Sequence, residues 1–126
     1  MVSEKKHDNG FTLIELLIVL SVLAVLLAIA VPTYQRHLIK AREAALSEDL
    51  FQMRDALDKH FADTGKYPAA LGELVSKKYL RKVPEDPFTK STDTWVTVDS
   101  DTSEGISDVR SGSDGEGLNG VPYSEW

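Results

Sequence analysis

Glu15, three scattered histidines and an acidic C-terminal stretch are the groups with which this chain could do chemistry. Glu15 stands at the head of LLIVLSVLAVLLAIAV, residues 16–31, a run with one hydroxyl and no charge. His7, His37 and His60 fall in no zinc or nucleophile-base spacing, no serine sits in a nucleophile elbow, and no glycine-rich loop is built to cradle phosphate. Catalysis is therefore not expected. With no cysteine there is no disulfide and no thiolate metal or redox site, which leaves the redox compartment undecided.

Cation binding is the stronger chemical candidate. From Asp99 to Trp126 there are seven acids against one arginine, together with five of the eight glycines. Asp99, Asp101, Asp108, Asp114, Glu116 and Asn119 offer the oxygen ligands that calcium prefers. Register excludes an EF-hand: counted from Asp99, the position that needs glycine is Glu104 and the one that needs a bidentate glutamate is Arg110. A solvated loop is the plainer reading of such a stretch. The formal net charge of -6, with no basic stripe, argues against nucleic acid as a partner.

Elements must position these groups. As a helix, the apolar run from Phe11 to Val31 would extend ~31 Å, about one hydrocarbon thickness. It is longer than a signal-peptide core, and its pattern continues past Pro32, although Ala28–Ala30 resembles a cleavage site. Positive charges flank both ends, so they set no orientation. A carboxylate at the centre of such a span costs roughly 2.5–3.5 kcal/mol, and less near an end. Glu15 is then either an acid that snorkels to the interface or one with a cationic partner. Cleavage between Gly10 and Phe11 would create an α-amine that a neighbouring copy could offer. Pro32 removes a backbone hydrogen bond and crowds the carbonyl of Ala28, so a bend or local melting is expected there.

From Tyr34 to Asp63, Leu38, Ala41, Ala45, Leu46, Leu50, Met53, Leu57 and Phe61 mostly recur three or four apart, which predicts an amphipathic continuation of the helix. The whole rod would be ~80 Å long. Gly65 and Pro68 end it. Leu71, Leu74 and Val75, with Tyr79 and Leu80 close behind, suggest a short second helix; VPEDPFTKS is a turn-rich link. Thr94–Val98 and Ile106–Ser111 read as paired strands, followed by a loop that VPYSEW closes with two aromatics.

KKHDNGFTLIE followed by the apolar run resembles the N-terminal signature of the type IV pilin and type II secretion pseudopilin superfamily. YPAALGELV, VPEDPF, DVRSGSDG and a terminal Trp resemble, more narrowly, its major pseudopilins of the G type. The fold this implies is α+β, a pilin-like lollipop: a long N-terminal helix with a membrane half and an amphipathic half, packed on a short helix and a small antiparallel sheet with a C-terminal loop. The implied organisation is a leader at 1–10, a transmembrane and polymerisation helix at 11–32, and a periplasmic globular domain at 33–126.

The resemblance also implies cleavage after Gly10 by a prepilin peptidase and N-methylation of Phe11. Filament assembly would run through Phe11, Glu15 and Pro32. The product would be a homopolymer anchored in the bacterial inner membrane, working with minor pseudopilins and inner-membrane secretion components to drive folded proteins across the outer membrane. A type IV pilin for adhesion, DNA uptake or motility is the alternative, and a membrane-tethered binding domain a further one. Members of the family typically hold calcium in the C-terminal loop, through an acid that Asp114 matches and a pair of aspartates before the final Trp. That pair falls on Val121 and Pro122 here, which have no side-chain oxygen. No cofactor is therefore expected, with calcium at Asp114 as the alternative, and the loop is expected to fasten by packing Val121, Tyr123 and Trp126.

Overall fold

The computed structural model describes residues 10 and 12–126; Phe11 and residues 1–9, most of the expected leader, lie outside the described residues. The chain divides into two units, Met1–His37 and Leu38–Trp126. One helix, α1 (Leu13–Thr64), contributes to both. It runs through Pro32 without a break, so local melting is not what happens there. Proline removes a single donor, the ladder on either side remains intact, and the Thr33 hydroxyl adds a bond to the carbonyl of Ile29 at 2.9 Å.

Within Leu38–Trp126, α1 buries Leu46, Leu50, Met53, Ala56, Leu57 and His60, the stripe that a 3.6-residue period predicts. Leu38, Ala41, Ala45 and Phe61, expected on the same face, are exposed. The helix ends where Gly65 takes φ 74° and its N–H bonds to the carbonyl of Phe61 at 2.7 Å. A second helix, α2 (Leu71–Ser76), places Leu74 against Ala56, Leu57 and Ile106.

Strands β1 (Val96–Asp99) and β2 (Ile106–Arg110) form an antiparallel pair. The ladder starts at Val96 instead of Thr94, because Trp95 turns inward and donates its indole N–H to the carbonyl of Pro84 at 2.8 Å. A register shift follows: Val98 pairs with Asp108 but Asp99 with Ile106, leaving Ser107 as the extra residue of a bulge. This lets Ile106 and Val109, three apart, both face the core. Gly105 precedes β2 at φ 103°, and a Cβ there would lie 2.4 Å from the carbonyl oxygen of Tyr67, so only glycine fits.

The main core cluster joins Leu46, Leu50 and Met53 of α1 to Trp95, Val109 and Tyr123. The turn-rich link is more than a connection. Asp86 is fully buried in it, accepting from the Phe88 N–H at 2.8 Å and the Ser111 hydroxyl at 2.6 Å, so its carboxylate ties the link to the residue after β2.

Candidate functional site

In the first unit the candidate groups are Gly10, Glu15 and Pro32. Thr12 precedes α1; its hydroxyl accepts the Glu15 N–H at 3.0 Å and its carbonyl accepts the Leu16 N–H at 3.1 Å. Thr12 is therefore the N-cap and Glu15 the third helical residue, the spacing of a capping box. A carboxylate in the first turn also meets the positive end of the helix dipole. The chain thus contains its own reason for an acid at this position, and the T-x-x-E signal was present in the sequence.

Glu15 is exposed and takes part in none of the ion pairs among the described residues. A Cβ at Gly10 would meet nothing within 4 Å, so packing inside the chain does not require glycine there. The apolar side chains of this stretch face outward, Leu13 being 77% and Ile29 65% exposed. The helix is long and apolar enough to cross a membrane. Its hydroxyls are satisfied within the helix: Ser21 donates to the carbonyl of Leu17 at 2.7 Å, as Thr33 does to that of Ile29. Over residues 13–33 Glu15 is thus the one polar side chain without a partner among the described residues, and the remaining surface suits lipid or a neighbouring helix equally.

In the second unit the candidate is the C-terminal loop. Asp114 is exposed. Among the described residues no group of three or more His, Cys, Asp or Glu converges on a common point as a metal site would require. The loop instead folds on backbone bonds, with the Gly117 N–H to Val121 at 2.8 Å, Gly120 to Gly117 at 2.9 Å and Tyr123 to Gly115 at 3.0 Å. Glu116 and Pro122 form an isolated bridge, and a short 3-10 turn, Tyr123–Glu125, closes the segment.

Tyr123 is buried, with its ring stacked on Phe88 at 4.0 Å and Trp126 edge-on at 5.1 Å. Val121 does not pack as expected. It is 38% exposed, and what it contributes is its carbonyl, which also accepts the Trp126 indole N–H at 3.1 Å. Two side chains of α1 reach the loop. Glu43 accepts the Leu118 N–H at 3.0 Å and the Tyr123 hydroxyl at 3.4 Å, while Arg54 donates to the carbonyl of Trp126 at 2.9 Å. Burial, and then the charge of Glu43, hold the Tyr123 phenol above its ordinary range. Neither Glu43 nor Arg54 was singled out by the sequence, where each is one charge among many on the polar face of a helix.

Comparison with known proteins places these features. Residues 5–31 match the prokaryotic N-terminal methylation motif. The chain is 30% identical over 99 residues to the type II secretion system core protein G of Klebsiella pneumoniae, covering 66% of this chain and 71% of that one. It is 28% identical over 101 residues to the protein of the same name from Aeromonas hydrophila, covering 68% and 71%. It is also 37% identical over 62 residues to the type IV major fimbrial protein FimA of Dichelobacter nodosus, covering 49% and 39%. No solved structure gives a significant match.

Proposed function

The chain belongs to the family of type II secretion system core protein G, and on that premise we propose that it is the major structural subunit of a pseudopilus, a helical filament that drives export of folded proteins across the outer membrane. The observation that carries the reading is the outward-facing apolar surface of α1 in the first unit, where Ser21 and Thr33 turn their hydroxyls back onto the helix backbone and Glu15 is left as an exposed acid. Such a surface calls for a partner outside the chain: lipid before assembly and other copies after it. The role is structural and not enzymatic.

Residues 1–10 are removed after Gly10 by a prepilin peptidase, and the new amine of Phe11 is methylated. Residues 11–32 then anchor the subunit in the inner membrane and carry assembly, with 33–126 as the periplasmic domain. Minor pseudopilins and inner-membrane secretion components are the further partners. The carboxylate of Glu15 accepts the Phe11 amine of an adjoining copy, so two charges that would each be costly in an apolar interior cancel there. Pro32, at the end of this segment, leaves the carbonyl of Ala28 without its helical donor, where a neighbouring copy can reach it. A type IV pilin is the second reading, supported by the likeness to fimbrial proteins, which covers 49% and 63% of this chain in two of them against 66–68% for the secretion proteins.

Glu15→Gln separates pairing from capping, because glutamine serves as well as glutamate at the third position of a capping box but cannot neutralise an ammonium. The variant is expected to insert and be cleaved normally while filaments, counted by electron microscopy, fall at least about 100-fold, the effect of leaving one member of a buried pair alone. Wild-type numbers of filaments would overturn the pairing. Restoration of protein secretion in a strain lacking its own core protein G, with mass spectrometry showing a methylated Phe11, tests the function itself.

A further inference from the structure

We propose that the loop Gly112–Trp126 is latched to α1 by two side chains of opposite charge, Glu43 and Arg54, where the family resemblance implies a calcium ion, and that its folding needs no metal. Glu43 and Arg54 are 11 residues apart, close to three turns of about 3.6 residues, so both reach the same side of the helix. Glu43 holds the near part of the loop through the Leu118 N–H and the Tyr123 hydroxyl. Arg54 holds its end, donating to the carbonyls of Trp126 and Val109 at 2.9 and 3.0 Å and to Asp108 at 2.8 Å.

A guanidinium collects oxygens from separate segments much as a cation would. It is fork-shaped and permanently charged, and it belongs to the chain, so no concentration of a free ion governs it.

The oxygens a calcium ion would need are meanwhile engaged or missing. Asp108 is neutralised by Arg54, with Arg110 at 3.6 Å on its other oxygen. The carbonyls of Gly115, Gly117 and Val121 accept N–H groups of the loop itself. Val121 and Pro122, at the positions of the paired aspartates, have no side-chain oxygen, Asn119 Oδ1 accepts the Val121 N–H at 3.1 Å, and the acids left in the loop, Asp114, Glu116 and Glu125, are exposed without converging among the described residues. Calcium takes about six to eight oxygens, and exposed carboxylates that do not converge do not make such a site.

The test is thermal unfolding of the full-length chain in detergent, read by tryptophan fluorescence on unassembled subunits, so that its outcome does not depend on filament formation. The parent is expected to melt within about 1 °C of the same midpoint in excess chelator and in millimolar calcium, since a ligand that does not bind the folded state cannot stabilise it. Arg54→Ala is expected to lower the midpoint by about 10 °C and Glu43→Ala by about 5 °C, with no rescue by calcium. Glu43→Gln, which keeps an acceptor for the Leu118 N–H, should recover part of the loss. A parent that loses more than about 5 °C in chelator, or alanine variants that melt like the parent, would overturn the proposal.

Discussion

Leu57 and Leu23 belong to the same helix, yet Leu57 is 0% exposed and Leu23 is 49% exposed. Around Leu57 the chain supplies its own cover, from Leu74 of α2, Ile106 of β2 and Ala56. Around Leu23 the described residues supply none. The backbone conformation is the same in both places, and it is satisfied in both by the helix's own hydrogen bonds. Helix formation and burial are therefore separate problems. The second unit solves both within one chain, and the first solves only the former.

That contrast sets the largest expected effect. Leu57→Ala removes a fully buried side chain and should destabilise the folded second unit by about 3 kcal/mol, seen as an early thermal transition of the chain in detergent. Leu23→Ala should leave that transition unmoved within about 1 °C, because folding buries nothing against it, and should instead reduce filament yield. Equal losses of thermal stability in the two variants would break the comparison.

The contrast also governs what the sequence made legible. Signals carried by spacing alone were readable: the apolar run, the stripe Leu46, Leu50, Met53 and Leu57, the stop at Gly65, and the strand at Ile106. A local motif was readable too, since Thr12 and Glu15 have capping-box spacing, a signal that coexists with the membrane cost of the acid. Features made by distant partners were not readable. Asp86 looks like a turn residue until Ser111, 25 positions on, closes over it; Arg54 looks like a solvated helix charge until Asp108 and Trp126 arrive. The bulge at Ser107 shifts the inward face of β2 by one residue, which no strict alternation predicts. At Pro32 the expected melting does not occur, because the cooperative ladder around a local breaker holds the helix together.

Local strain divides between the units as burial does. Every residue with positive φ among those described, Gly65, Lys78, Lys90, Gly105 and Gly120, lies in the second unit, where tertiary contacts over-determine the backbone. Lys78 sits just past α2 at φ 68°, with the N–H groups of Tyr79 and Leu80 both bonded to the carbonyl of Leu74, an arrangement that usually takes glycine. Lys78→Gly should stabilise the unit by about 1 kcal/mol, by relieving the left-handed penalty of a residue with a Cβ. Denaturant unfolding measures it through a higher midpoint at unchanged slope. A lower midpoint would mean that the exposed lysine makes contacts worth more than the strain costs.

The smallest effect concerns charge. In the first unit the acid Glu15 sits at a helix N-terminus, where the dipole favours it. Asp49, half-buried on α1 in the second unit, has no such support. Partial burial first, then the charges of Asp86 and Glu48, raise its carboxyl above the ordinary range, and it joins none of the ion pairs among the described residues although Arg81 and Lys82 line the same groove. A group whose folded value is raised contributes stability below its unfolded value, and that contribution is lost as pH rises through the folded one. Ionised Asp49 is therefore a liability at neutral pH. Asp49→Asn should raise the melting midpoint by about 3 °C at pH 7, and the advantage should vanish below the ordinary aspartate range, where the parent carboxyl is already neutral. An advantage of the same size at both ends of the titration would assign the gain to packing or helix propensity, and the contrast drawn between Glu15 and Asp49 would lose its physical basis.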